Sequence, residues 1–303
     1  MTSEALSVNS LPEKSSMIGI MDEFKHFWGL KEAPFSLLPN TQYFVALPDY
    51  QHCLSLLSFA TNCSEGIIKV TGEVGVGKTM VCRRFLNSID ETTFYTAYIP
   101  NPSLNPIELK RAVAKEIQVP DLNWIGEDEL TEAINKRLIK LAQNNKKVIL
   151  VIDEAQALPL ETIETLRLLT NLETEKTKLI QIVLFAQPEL DETLSKHEFR
   201  QIRQRITYSF QIKALSKAEV EKYVVQRLAY AGYQGSSCFD ESSIQLLYRY
   251  SKGIPRIISI IATKAMLLAF SKGNDSVNAK MVKKAAMDTE SVEKKLHFWS
   301  FCL

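Results

Sequence analysis

No stretch of this 303-residue chain approaches the roughly 20 consecutive apolar residues that a membrane-spanning helix needs. The nearest candidate, residues 254–270, carries Arg256 and Lys264 and reads as an amphipathic helix of a globular core. No charge of either sign dominates. Lys+Arg number 36 against 35 Asp+Glu, a net +1, so no global field draws the chain to nucleic acid or acidic lipid, and any such site has to be a local patch. Cysteine is scarce: positions 53, 63, 82, 238 and 302 include no Cys-x-x-Cys spacing, which argues against a disulfide framework or a zinc site and fits a reducing compartment. Cys302 stands second from the end, which excludes a prenylation signal. Residues 1–20 lack the basic start and apolar centre of a secretory signal, and 1–21 reads as a disordered arm. Glycine and proline, 11 each in a chain that is 46% apolar and 23% charged, leave an ordinary globular composition. The length fits two domains. No internal repeat is found.

Between residues 66 and 213, short β-rich runs alternate with helical patterns, the signature of a parallel α/β sheet. Five strands are expected, at Gly66–Thr71, Thr93–Ile99, Lys147–Asp153, Leu179–Ala186 and Thr207–Ile212. Val-Ile-Leu-Val-Ile and Ile-Gln-Ile-Val-Leu-Phe are continuous runs, as strands covered on both faces require. Helices are expected at Lys78–Ile89, Pro106–Ile117, Glu127–Asn144 and Leu160–Asn171. After Leu215 the strand signals stop. Ser216-Lys-Ala-Glu219 is a capping box opening a helix that stops at Gly232. A second helix runs from near Asp240 to Gly253, Pro255 opens a third, and Asn278 caps a fourth. The expected fold is therefore an αβα sandwich with a five-stranded parallel sheet at 49–214, preceded by a linker at 22–48, followed by an all-helical domain at 215–290 and a tail at 291–303. The tail ends His-Phe-Trp-Ser-Phe-Cys-Leu.

Gly72-Glu73-Val74-Gly75-Val76-Gly77-Lys78-Thr79 matches the phosphate-binding pattern G-x-x-x-x-G-K-[ST], and it lies between an apolar strand and the helix opening at Met80. Glycines let backbone N–H groups turn inward as an anion nest, and the helix N-terminus adds partial positive charge. Lys78 is the candidate for the β- and γ-phosphates and Thr79 for Mg²⁺. The second acidic element is the strand ending in Asp153-Glu154. One carboxylate, Asp153, suits the metal; the next, Glu154, suits an attacking water, so it is the candidate general base. Such chemistry depends on positioning and charge neutralisation more than on covalent help.

The order of phosphate loop, Asp-Glu strand, polar strand tip, arginine cluster and Gly253-Ile-Pro-Arg256 helix resembles the AAA+ ATPases, which are P-loop NTPases. More narrowly, Phe27-Trp-Gly-Leu, Ala33-Pro-Phe-Ser, Leu166-Arg-Leu-Leu-Thr-Asn-Leu-Glu and Phe185-Ala-Gln-Pro-Glu-Leu are similar to the general secretion pathway protein A family of type II secretion, and within it to the branch serving the mannose-sensitive haemagglutinin pilus. The resemblance runs from about Phe27 to Asp288. It implies that Gln187 is a sensor of the γ-phosphate, that Asn101 is a switch residue restraining Glu154, and that the helical domain is a lid whose Arg256 reaches the γ-phosphate. It also implies a finger from the cluster Arg200, Arg203 and Arg205, acting on a neighbouring subunit, with Arg205 preferred and Arg203 next. The segment Phe35–Tyr50 is expected to wrap the adenine, with Tyr43 and Phe44 as stacking candidates.

The resemblance further implies Mg²⁺-dependent ATP hydrolysis by a nucleotide-dependent homo-oligomer. Its work would be assembly of a type IV pilus or its secretin, at the cytoplasmic face of the inner membrane, through inner-membrane partner proteins. The competing expectation is a DNA-associated regulator of the transposition-helper or initiator kind, for which Lys280, Lys283, Lys284 and the Arg200–Arg205 run would supply the basic patches.

Overall fold

The structure, a computed structural model, describes residues 17–63, 66–173, 178–235, 237–290 and 292. Residues 1–16, most of the tail and Cys302 lie outside them. Five parallel strands form one sheet: β1 (Ile67–Thr71), β2 (Phe94–Ile99), β3 (Lys147–Ile152), β4 (Ile180–Ala186) and β5 (Ile206–Gln211), in the order β2-β3-β4-β1-β5. The sheet helices are α3 (Lys78–Leu86), α4 (Pro106–Glu116), α5 (Glu127–Gln143) and α6 (Leu160–Thr170). Each begins where the sequence places it and ends one to three residues earlier. Local chemistry explains the starts. Before α4, Asn105 accepts from the N–H groups of Ile107 and Glu108 at 3.0 and 2.9 Å, while Glu108 accepts from the Asn105 N–H at 2.9 Å, a complete capping box with proline at the first turn.

Strand residues alternate between two cores, as a period of two demands. Ile68, Val70, Ile149, Val151, Val183 and Phe185 face one side; Ile67, Val148, Leu150, Ile152, Ile182 and Leu184 face the other. Central β4 is buried throughout, whereas edge strand β5 alternates half-buried and exposed. The second core is closed by α4, α5 and α6.

The first core runs without a break into the helical region, made of α9 (Lys217–Tyr230), α10 (Glu241–Ser251), α11 (Pro255–Phe270) and α12 (Ala279–Met287). Asp240 and Asn278 cap α10 and α12 through their side chains. Among the described residues, no helix is long and apolar enough to cross a membrane.

Three further helices were not drawn from the sequence: α2 (Pro48–Cys63), α7 (Glu189–Ser195) and α8 (Arg200–Arg203). The N-terminal region also differs. Helix α1 spans Met17–Trp28, so residues 17–21 of the expected disordered arm are helical. The reason is tertiary. Phe24 and Trp28, one turn apart, are buried, and the Phe24 and Phe27 rings stand edge-on to Phe270 of α11 at 5.8 and 5.3 Å. The segment placed in a linker is therefore docked on the helical domain.

Candidate nucleotide site

The loop Gly72–Gly77 leaves the C-terminal end of β1 and turns directly into α3. Lys78 is 4% exposed. Its ammonium donates back into the loop, to the carbonyls of Gly72 at 2.8 Å and Glu73 at 3.0 Å. Burial lowers its pKa, opposed by the negative charges of Glu154 and Asp153. From behind, buried Tyr50 of α2 donates its hydroxyl to the Val76 carbonyl at 2.7 Å. Thus the loop is braced on both sides.

Asp153, directly after β3, is 2% exposed. Burial raises its pKa, while hydrogen bonds from the Thr79 hydroxyl and the Glu154 N–H act in the opposite direction. The fit of a divalent cation rests on this pair, a buried carboxylate bonded to the hydroxyl of the loop's last residue. Hard oxygen donors of this kind suit Mg²⁺.

Glu154 has a left-handed backbone, φ 54°, which is costly for a residue with a Cβ and is retained where surrounding structure over-determines it. Its carboxylate oxygen Oε2 accepts from the side-chain amides of Gln156 at 2.6 Å and Gln187 at 3.2 Å. Gln156 is held in turn by the Gln187 backbone N–H, which donates to its Oε1 at 2.9 Å. The tips of β3 and β4 are thereby tied together at the acid.

The helical domain closes the cleft. The Arg256 N–H at the start of α11 donates to the Gly75 carbonyl at 3.2 Å. Gly75 has φ +83°, and a Cβ there would lie 2.8 Å from the Cβ of Arg256. Only glycine permits this approach. A cavity of about 340 Å³ results, lined by Val74, Gly75, Gly77, Lys78, Thr79 and Met80 of the loop, by Glu154 and Gln187, by Arg256, and by Tyr43 and Phe44. That volume lies within the range of small-molecule sites.

Most of the residues singled out in the sequence for the nucleotide converge here; the arginine cluster and Asn101 do not. Arg203 and Arg205 precede β5, and the Ile67 N–H at the start of β1 donates to the Arg205 carbonyl at 2.7 Å. They therefore lie at the N-terminal edge of the sheet, a strand's length from the phosphate loop. Asn101 does not meet Glu154 either. Its side chain accepts from the Ser103 N–H at 3.4 Å, and the restraint expected of it is supplied by Gln156. Sequence reasoning missed Gln156 and Arg227. The second was legible: an arginine on the stripe of Val220, Tyr223, Val224 and Leu228, all buried, is a charge where an apolar residue is due.

Such a sheet, phosphate loop and helical lid define a nucleotide-binding P-loop fold of the AAA+ class. Residues 62–194 match the family model for the AAA domain. The chain is 38% identical over 254 residues to General secretion pathway protein A of Aeromonas hydrophila. That alignment covers 84% of this chain and 46% of the relative, so the chain spans about half its relative's length. Among solved structures it resembles Cdc6p from Pyrobaculum aerophilum, with a TM-score of 0.66, 19% identity, 84% of this chain and 70% of that one. The Aeropyrum pernix ORC2 protein is similar at a TM-score of 0.65 and 15% identity, over 87% and 73% of the two chains. At these identities the likeness is one of fold.

Proposed function

We propose that the chain hydrolyses ATP with Mg²⁺ and uses the cycle to drive assembly of an envelope machine of the type II secretion or type IV pilus kind. The observation that carries the chemistry is the convergence of Lys78, Thr79, Glu154 and Arg256 on one cavity, with buried Asp153 beside Thr79. Lys78 and Arg256 bind the phosphates from opposite walls. Thr79 and Asp153 would hold Mg²⁺, which would supply charge neutralisation for the phosphates. Gln187 orients the terminal phosphoryl group and Glu154 takes a proton from the attacking water. The new bond joins water oxygen to the γ-phosphorus, and the bond to the bridging oxygen breaks, its electron pair leaving with ADP.

Similarity over 84% of the chain to a general secretion pathway protein favours the envelope role; within it, kinship with the biogenesis ATPase of the mannose-sensitive haemagglutinin pilus is inferred from the runs Phe27-Trp-Gly-Leu and Phe185-Ala-Gln-Pro-Glu-Leu. We place the protein at the cytoplasmic face of the inner membrane, as a homo-oligomer that docks on membrane partners and receives Arg205, or Arg203, from a neighbouring subunit.

Glu154→Gln tests both parts. The variant should bind MgATP as the wild type does and turn it over at least a hundredfold more slowly; undiminished turnover would remove Glu154 as base. Held in the ATP state and crosslinked in its host, the same variant should bring down pilus or secretin-assembly proteins from the membrane fraction. A second reading rests on Lys280, Lys283 and Lys284, which share the exposed face of α12. Salt-sensitive recovery of DNA instead would move the engine to the chromosome.

A further inference from the structure

Arg227 of α9 is 4% exposed and borders the nucleotide cavity. A buried guanidinium is costly unless its donors are satisfied. No carboxylate satisfies this one among the described residues. Its Nε donates to the Pro34 carbonyl at 2.6 Å, one Nη to the Ser36 carbonyl at 2.8 Å, and the other to the Tyr223 hydroxyl at 3.3 Å. Its plane lies over the Tyr43 and Tyr223 rings, at 5.3 and 5.6 Å from the centroids, which adds cation–π attraction. Two carbonyls two residues apart, held by one rigid fork, leave the intervening backbone a single path. Between them Phe35 is buried, edge-on to Phe239.

Beyond this point, Leu37 and Leu38 are exposed and line the cavity. The segment is caught again at its far end by Arg83 of α3, whose guanidinium donates to the Pro39 carbonyl at 3.0 Å. Residues 34–39 thus form a strap between two arginines, one on the lid and one on the phosphate-loop helix. The strap contributes Ser36, Leu37, Leu38 and Pro39 to the wall of the cavity that Lys78 also lines.

The geometry points to Arg227, with Arg83, as a positioning residue for nucleotide-base recognition: the pair sets the strap that meets the base, so base affinity depends on the lid and the phosphate-loop helix holding their registered positions. This rests on the proposal that the cavity binds ATP. The test compares MgATP with magnesium tripolyphosphate, which has the phosphates and no base, by calorimetric titration of the full chain. Wild type should bind ATP at least tenfold tighter than tripolyphosphate. In Arg227→Met that advantage should shrink about tenfold while tripolyphosphate binding stays within twofold of wild type. Arg227→Lys should behave as Arg227→Met does, because one ammonium does not reproduce the fork. Arg83→Met, which removes an exposed pin and leaves the core intact, should lose three- to fivefold for ATP alone, and it decides the matter if Arg227→Met does not fold. Equal losses for both ligands, no loss in Arg83→Met, or a wild type that gains nothing from the base would overturn the inference. A wild type that binds neither ligand would instead overturn the ATPase reading.

Discussion

Glu154 carries two donors on one oxygen, and the shorter, from Gln156, reaches it only because Gln156 is itself fixed by the Gln187 N–H. A carboxylate on a left-handed residue has few other anchors. If Glu154 is the base, Gln156→Leu should lower kcat about ten- to a hundredfold, the usual penalty for misplacing a reacting group by an ångström, with KM for ATP little changed because Gln156 meets no phosphate. Steady-state kinetics give both numbers, and an unchanged kcat would show that the clamp is incidental. The Asp153-Glu154 pair was readable from the sequence because an apolar strand ending in acids has few other uses beside a phosphate loop. Gln156 was not, since its value lies in a contact with β4, 31 residues away.

Among the elements, α11 has the most demanding entry. It follows Lys252 and Gly253, both with positive φ. The Gly253 carbonyl accepts from the Leu215 N–H at 2.9 Å, and a Cβ on Gly253 would fall 2.0 Å from the Leu215 carbonyl oxygen. Gly253→Ala should therefore cost about 2–4 kcal/mol, combining backbone strain with a clash at a packed junction. Gly126→Ala, where a Cβ would meet nothing within 4 Å, is the control and should change stability little. Urea midpoints for the two variants make the comparison, and equal shifts would mean that the junction yields. Element ends were legible wherever the start signal is local, as at Pro106, Ser216 and Asn278. Helix α2 was not legible, because its buried stripe of Tyr50, Cys53, Leu57 and Ala60 is diluted by Ser, His and Asn and acquires meaning only against β1 and the phosphate loop.

At the scale of the whole molecule, one apolar core joins sheet, lid and N-terminal helix, and it encloses three thiols. Burial pushes Cys53 and Cys238 up to about 12 and raises Cys82 as well. Below about pH 8.5 thiols are protonated in both states and contribute no pH dependence. Above that value the unfolded chain releases protons that the folded chain keeps, so stability falls as pH rises. Melting temperatures measured between pH 8 and 10.5 should decline less steeply in a Cys53→Ala, Cys82→Ala, Cys238→Ala variant than in the wild type; parallel declines would assign the alkaline loss elsewhere. The edge position of Arg205 makes a second prediction at this scale. It lies a strand's length from its own loop, so any catalytic use has to be in a neighbour. Arg205→Ala and Lys78→Ala chains, each inactive alone, should regain partial ATPase activity when mixed; no recovery despite demonstrated subunit exchange would exclude a finger acting in trans.

The alternation of strands and helices, the phosphate loop and the acidic strand end were determined by the sequence, because each depends on residues adjacent in the chain or on a short period. The sheet order, the union of lid and N-terminal helix through one core, the clamp on Glu154 and the strap between Arg227 and Arg83 were decided by tertiary structure alone. Each joins groups far apart in the chain, and no local preference of either partner records where the other will be.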